Sequence, residues 1–233
     1  MLLGAARDVN FSPLADAVVK QVEAGSIVEI NGEEDAYAFL TMLNLKTHKG
    51  NPTIKSILSI LKKNCPPELA KSFNDYLSKN TGILLNERMR NFPPEVMPPL
   101  FNSLQEDIKW ALENSDNKEA FQFDYILVIA QRFRELTVKK NKDGSKVQVT
   151  EGNANGDNAA AAAADDDDTS YFHFEDDIMK KHSKLTFSFN VAPLGDPSLS
   201  EVLQQSREVM IVPFSDLPTI YQEISALVSA LSV

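Results

Sequence analysis

Apolar side chains recur along this chain with two different periods, which predicts a mixture of helices and strands. After Ser12-Pro13, Asn51-Pro52 and Pro98-Pro99 they return every three or four positions, the spacing of one buried helix face. Serine, asparagine and proline are typical of the first turn of a helix. Further helices are predicted after Pro66-Pro67, over 175–182 and after Ser215, and the first helix is expected to run until Gly25.

Six other segments have the alternation or the β-rich composition of strands. They are 26–30, 36–45, 83–87, 121–133, 185–191 and 208–213. The first two are predicted to form a hairpin across 31–35, because Asn31-Gly32 is a common turn sequence. Segment 121–133 is apolar on both faces, which is typical of a strand in the middle of a sheet covered on both sides.

The middle of the chain, residues 139–168, differs from the rest in composition. It begins with lysines, continues through Gly, Asn and six alanines, and ends in Asp165, Asp166, Asp167 and Asp168. So long a segment with almost nothing to bury predicts a disordered, low-complexity acidic insertion. Two interpretations stay open, a solvated loop and an electrostatic arm for a basic partner.

Strands are predicted among helices on both sides of this insertion. This pattern favours one α/β domain with a mixed central sheet flanked by helices. Its first part is residues 1–138 and its second part is residues 169–233, separated by the looped-out insertion 139–168.

Composition narrows the classes of function. The chain has 233 residues, a formal net charge of −10 and one cysteine, so a disulfide framework is excluded and a reducing compartment is expected. No transmembrane segment or secretory signal is predicted, and no membrane partner is expected. The acidity argues against direct nucleic-acid binding and favours a basic protein partner.

The sequence offers no motif for catalysis, for a cofactor or for a metal. Gly-rich phosphate loops and a nucleophile elbow are absent from it. Cys65 precedes a predicted helix, where a thiol pKa can be lowered, but an incidental thiol is the plainer interpretation. The cluster from His173 to His182, with Glu175, Asp176 and Asp177, matches no zinc spacing. We therefore predict a protein that is not an enzyme.

The segment 82–100 is the most distinctive. A buried apolar strand is followed by Glu87-Arg88, then Asn91, then the proline pairs 93–94 and 98–99. Charges directly after a buried strand indicate either a structural role or a site that faces a partner. The structural role would be a paired charge or a backbone contact that fixes the corner between strand and helix.

This segment resembles the signature of the BCCIP family of eukaryotic nuclear proteins. Residues 123–129 are similar to that family's buried strand, and residues 171–177 and 184–189 to the block after its variable insertion. The resemblance implies an α/β fold like that of the GNAT acetyltransferases, without their activity. It also implies a location in the nucleus, with shuttling to the cytoplasm.

The resemblance further implies a function and partners. Family members escort a newly made, basic large-subunit ribosomal protein and support ribosome biogenesis and nuclear export. Possible further partners are a phosphoinositide kinase and nuclear transport factors; in animals a DNA-repair protein and a cell-cycle inhibitor are also linked. Relative to the family's usual start, this chain is expected to lack an N-terminal strand and so to leave one sheet edge unpaired.

Three hypotheses follow from these observations. The first is a non-enzymatic, monomeric nuclear escort for the basic ribosomal protein. The second is a nuclear adaptor or scaffold for export, cell-cycle or DNA-repair partners, and the third is an acyltransferase that binds acetyl-coenzyme A. For the escort we predict two groups of partner-binding residues: Asp165, Asp166, Asp167, Asp168, Glu175, Asp176 and Asp177 for long-range attraction, and Glu87, Arg88 and Asn91 at the corner.

Overall fold

A computed structural model describes residues 9–32, 35–89, 91–139, 148–149, 169–191 and 201–231. The helices in these ranges are α1 (Ser12–Lys20), α2 (Pro52–Asn64), α3 (Pro67–Leu77), α4 (Met97–Asn114), α5 (Phe174–His182) and α6 (Leu217–Leu231). The strands are β1 (Ser26–Glu29), β2 (Ala36–Asn44), β3 (Thr81–Arg88), β4 (Tyr125–Lys139), β5 (Gln148–Val149), β6 (Ser170–Tyr171), β7 (Leu185–Asn190) and β8 (Glu201–Pro213).

The strands form a mixed sheet with the order β1-β2-β3-β4-β8-β7, and the short strands β5 and β6 also pair with β4. Neighbouring strands are antiparallel except β3 and β4, which are parallel and pair only over 81–83 and 125–127. β4 and β8 form a long ladder from Tyr125 opposite Pro213 to Thr137 opposite Glu201. One sheet therefore contains strands from both sides of residues 139–168, most of which lie outside the described ranges.

Helices cover both faces of the sheet. On one face α4, α5 and α6 pack against Leu40, Met42, Leu84, Ile126 and Val128. On the other face α1, α2 and α3 pack against Leu43, Ile83, Leu85, Leu127 and Ile211. β4 thus supplies buried side chains to both faces, as its two-sided apolar pattern predicted.

Most predicted elements are present with bounds shifted by a few residues. The predicted hairpin is confirmed, because β1 and β2 pair antiparallel. The predicted start of α2 is confirmed as well, since the side-chain oxygen of Asn51 accepts hydrogen bonds from the backbone nitrogens of Thr53 (2.9 Å) and Ile54 (3.2 Å). Pro52 stands in the first turn, where its missing N–H costs nothing.

Five details differ from the sequence predictions. Phe11, not Ser12, precedes the first helical turn, and α1 ends at Lys20 rather than near Gly25 because Gln21 is already extended. The last helix begins at Leu217, after a 3₁₀ turn that contains Ser215. β8 begins at Glu201, seven residues before the predicted start. On the last helix, Leu227 and Leu231 are exposed, although their spacing in the sequence predicts that they belong to the buried face.

Candidate functional site

Glu87 and Arg88 end β3, and their side chains lie on opposite faces of the sheet because strand residues alternate. Beyond them the chain turns toward α4. Asn91 adopts a left-handed backbone conformation, with φ of 65°, and Phe92 N–H donates to the carbonyl of Met89 at 3.2 Å. Asparagine is among the few residues that tolerate this conformation well. Asn91 therefore forms the corner between β3 and the helix.

Arg88 holds the buried carboxylate of Glu175, the second residue of α5. Its two terminal nitrogens donate to the two carboxylate oxygens at 2.5 and 3.1 Å, and Asn86 Nδ2 donates to one of them at 2.6 Å. The side chains of Arg88 and Glu175 are 9% and 0% exposed. The guanidinium also lies over the ring of Phe174, 5.5 Å from its centroid. A two-pronged, interior ion pair thus joins the end of β3 to the start of α5.

Two further titratable groups beside this pair are shifted by burial. Desolvation raises the pKa of Asp176 well above its ordinary value, and the neighbouring charge of Glu175 raises it further. Desolvation lowers the pKa of His173, which favours its neutral form. Both residues line a small recess between β3 and β4, where these parallel strands are no longer paired. Burial therefore disfavours the charged form of both side chains.

A second interior cluster surrounds Glu208 on β8. Its carboxylate accepts from Arg132 Nη1 at 3.3 Å and from the Tyr171 hydroxyl, and Lys180 Nζ lies 3.6 Å away. Desolvation and the hydrogen bond to Glu208 both raise the pKa of Tyr171. This cluster fastens β6 and α5 to β4 and β8. Sequence reasoning missed it, because Arg132 lies in a mostly apolar strand and Glu208 gives no sign of burial.

On the other face of the sheet, Glu87 acts on Arg207. Arg207 is almost fully buried, and desolvation lowers its pKa while the charge of Glu87 raises it. Glu87 therefore stabilises the positive charge of Arg207 on one face of the sheet. Arg88, the next residue, stabilises the negative charge of Glu175 on the other face. This arrangement fits the paired-charge alternative of the sequence analysis.

The predicted partner-binding residues fall into different environments. Arg88, Glu175 and Asp176 are brought together in the interior, where Glu175 and Asp176 are buried. Asp177 remains exposed and pairs with Lys181 at 3.1 Å. Asp165, Asp166, Asp167 and Asp168 lie outside the described residues. Partner binding through any of these residues stays a prediction.

The outer surface holds an apolar groove between α1 and the sheet edge formed by β1 and β2. Its volume is about 670 Å³, and its lining includes Leu14, Val18, Val22, Ile27, Phe39 and Leu85. Residues 9–45, which form most of its walls, contain six acidic and one basic side chain and so contribute half of the chain's net charge of −10. The sequence did not predict this groove, because spacing alone assigns all the apolar residues of α1 to its buried face. In the structure some of them, such as Val19, are exposed and line the groove.

A metal site, a reactive cysteine and a membrane-spanning helix are the other features to consider in the described ranges. There, no group of three or more His, Cys, Asp and Glu side chains is arranged to hold a metal ion. Cys65 is a free, buried thiol, and burial and the charge of Glu68 raise its pKa rather than lower it. No helix in the same ranges is both long and apolar enough to span a bilayer.

Fold and site together define a mixed α/β protein with an interior ion-pair network and an apolar groove on its surface. The family model for BCCIP matches residues 2–179, which is most of the chain. The chain belongs to the BCCIP family, and the resemblance found in the sequence is confirmed.

Relatives agree with this assignment. The chain is 32% identical over 209 residues to Protein bcp1 of Aspergillus oryzae, covering 87% of this chain and 68% of that protein. It is 26% identical over 145 residues to Protein BCCIP homolog of Arabidopsis thaliana, covering 58% and 44%. Across five fungal relatives the chain spans between 55% and 68% of their length.

A solved structure supports the fold. The crystal structure of BCP1 from Saccharomyces cerevisiae matches with a TM-score of 0.57 and 22% identity, covering 93% of this chain and 73% of that one. The predicted mixed α/β architecture is confirmed. The finer likeness to GNAT acetyltransferases is not confirmed by these comparisons.

Proposed function

We propose that this chain is a non-enzymatic nuclear escort that binds a basic large-subunit ribosomal protein, keeps it soluble and supports ribosome biogenesis and nuclear export. The observation that carries the proposal is the excess of acidic side chains in residues 9–45, of which Asp16, Glu29 and Asp35 are exposed, in the segment that also supplies the apolar groove between α1 and β1. An escort needs apolar contacts for a specific complex and negative charge for a basic client. Membership of the BCCIP family is consistent with this role.

The charge of the chain is segregated, which supports a partner-specific surface. Residues 46–79, from the end of β2 through α2 and α3, contain seven lysines and two acidic side chains. The acidity of residues 9–45 is therefore local and does not reflect a uniformly negative molecule. Charge of one sign that is concentrated in one part of a protein steers an oppositely charged partner and raises its association rate.

The experiment is co-purification of the chain with the large-subunit ribosomal protein, followed by size-exclusion chromatography at low and high salt. A histone of similar basicity is the control for charge alone. The proposal expects a one-to-one complex with the ribosomal protein that survives high salt, because packed apolar contacts are not screened. Equal binding of the histone, lost at high salt, would contradict a specific escort.

The groove also favours a second candidate, a nuclear adaptor or scaffold for export, cell-cycle or DNA-repair partners. Its lining is largely apolar, and such a surface accepts several partners with little dependence on charge. A phosphoinositide kinase and nuclear transport factors are the partners to test. Salt-independent binding of several partners that compete with one another would favour the adaptor over the escort.

A further inference from the structure

A second pocket, which we call the aromatic pocket, lies at one end of the sheet, where α3 ends, β4 begins and β8 ends. Its volume is about 600 Å³. β4 and β8 are interior strands of the sheet order, each with a neighbour on both sides, so this pocket does not lie at an open sheet edge. Its lining includes Tyr76, Phe123, Asp124, Tyr125, Lys184 and Phe214.

Two pairs of aromatic rings give the pocket its apolar walls. The ring centroids of Tyr76 and Tyr125 are 4.7 Å apart, and the ring planes are inclined by 68°. The ring centroids of Phe123 and Phe214 are 5.5 Å apart. All four side chains are only partly buried. A partner side chain that contacts them therefore removes further apolar surface from water.

Lysine side chains surround this apolar lining. Lys79 Nζ lies over the rings of both tyrosines, 5.1 and 5.9 Å from their centroids. Lys46 Nζ donates to Oδ1 of Asn80, the residue after Lys79, at 3.0 Å. Lys184 belongs to the lining itself, and all three lysines are exposed. Ammonium groups thus stand beside a pocket with apolar walls.

Hydrogen bonds of the backbone hold the walls in place. Asp124 N–H donates to the carbonyl of Asn80 at 2.7 Å, and Phe214 N–H donates to the carbonyl of Asp124 at 3.0 Å. Asn80 N–H in turn donates to the carboxylate of Asp124 at 3.1 Å. Lys184 N–H donates to the carbonyl of Ile211 at 2.8 Å. The pocket is formed before a partner arrives, and a rigid site loses less entropy on binding.

Charge selects the occupant. Lys46, Lys79 and Lys184 stand beside one carboxylate of the lining, Asp124, and that carboxylate already accepts a backbone hydrogen bond. The next acidic side chain along the chain from the pocket residue 215, Asp216, lies 3.6 Å from His182. The chain as a whole has a net charge of −10. An acidic segment therefore meets attraction here and repulsion from the acidic remainder, which confines it to this end of the sheet.

A protein segment suits this pocket better than single-stranded nucleic acid does. Bases bind such surfaces by stacking on the faces of aromatic rings. Lys79 already covers one face of each of the two tyrosine rings. A long polyanion would also bring charge against the acidic remainder of the chain, whereas a short acidic segment need not.

The geometry points to a binding site for an acidic segment of a second protein partner, distinct from the basic client. An aromatic or branched apolar side chain of this segment contacts the two aromatic pairs. Carboxylates that flank it pair with Lys79 and Lys184, and Lys46 adds attraction. This inference goes beyond the escort function and does not depend on it. It gives the chain sites for partners of opposite charge.

The test adds a synthetic glutamate-rich peptide with two central phenylalanines to the isotope-labelled full chain and follows backbone amide signals by NMR. Signals of Lys79, Asn80, Tyr125 and Lys184 should shift as the peptide binds. Reversing two charges at the pocket, Lys79→Glu with Lys184→Glu, should weaken binding about tenfold or more, since two attractions become repulsions. A peptide with alanines in place of the phenylalanines should also bind more weakly.

The matched control reverses two charges elsewhere, Lys62→Glu with Lys63→Glu. These exposed lysines lie in the last turn of α2, and α3, about 16 Å long, separates them from the pocket. Both variants change the net charge equally and both alter exposed positions, so both are expected to fold, and melting curves check this. The control should bind the peptide within about twofold of the parent chain.

Four results would overturn the inference. They are the absence of shifts at the pocket, an equal weakening by the two variants, equal binding of the alanine peptide, and tighter binding of oligouridylate than of the peptide at the same amides. The last result would assign the pocket to nucleic acid. Because this assay needs no ribosomal protein, its outcome leaves the escort function to its own test.

Discussion

Removing Arg88 tests whether the Glu87-Arg88 motif is a structural element. We consider Arg88→Met, which keeps most of the side-chain volume and removes the charge. In the parent chain both oxygens of the fully buried Glu175 carboxylate accept from Arg88, at 2.5 and 3.1 Å. Among the hydrogen bonds of the described residues, the variant leaves that buried carboxylate with the amide of Asn86 as its remaining side-chain partner.

The expected magnitude follows from the burial of the pair. Removing one member of a buried ion pair typically costs about 3–5 kcal/mol, because the remaining charge is desolvated and uncompensated. For a chain of this size each kcal/mol lowers the melting temperature by about 2–4 °C, so the expected shift is about 6–20 °C. Replacing both partners, Arg88→Met with Glu175→Gln, should restore more than half of the loss, since no buried charge then remains unpaired.

Chemical denaturation followed by circular dichroism measures these changes. The matched control is Lys181→Ala, which breaks an ion pair of 3.1 Å on α5 whose side chains are 63% and 57% exposed. An exposed pair of this kind is worth about 0.5 kcal/mol or less. A loss below about 1 kcal/mol for Arg88→Met, or no recovery in the double variant, would refute the reasoning.

Three further predictions concern the interior acid, the turn beside the groove and the acidic insertion. The pKa of Asp176 is raised in the folded state, so its contribution to stability is lost as pH rises from its ordinary value of 3.8 through the raised value. The free energy of unfolding of Asp176→Asn should therefore rise relative to that of the parent chain as pH increases. Urea unfolding between pH 4 and 8 measures this difference, and Asp177→Asn, at an exposed position, is the control. Gly25→Ala should lower the free energy of unfolding by about 1–3 kcal/mol, because φ of Gly25 is +133° and an added Cβ atom would lie 2.7 Å from Thr41 Oγ1. The control is Gly50→Ala, where an added Cβ has nothing within 4 Å, so the same thermal melts should show almost no change. Deleting residues 149–168 should lower the rate of client association in stopped flow at 0.1 M salt, where the Debye length is about 10 Å. At 1 M salt, where the Debye length is about 3 Å, the deletion should lower that rate much less. Aggregation of the deletion variant would contradict the predicted disorder.

The elements that sequence reasoning predicted well are those with a local signal. Asn51-Pro52 fixes a helix start through hydrogen bonds and a proline within the same turn. Residues 126–130 alternate between two buried faces, which predicted β4 as a central strand. The family resemblance rested on residues 82–100, and the BCCIP match over residues 2–179 confirms it.

The features that it missed depend on residues distant in sequence. Glu175 and Asp176 look like a surface charge run, and only the fold brings Arg88 against them across 87 positions of the chain. The part of β8 from Gln204 to Glu208 is polar, although Gln205, Arg207 and Glu208 are buried. Glu208 has partners on β4, β6 and α5, and the charge of Glu87 on β3 acts on Arg207. Strand prediction from alternation cannot detect such a segment.

The most direct test of the account is size-exclusion chromatography of this chain with the large-subunit ribosomal protein, at 0.1 and 1 M salt, beside a histone control. The account predicts a one-to-one complex with the ribosomal protein at both salt concentrations and none with the histone at 1 M. Absence of the complex at both concentrations, or equal behaviour of the two basic proteins, would contradict it.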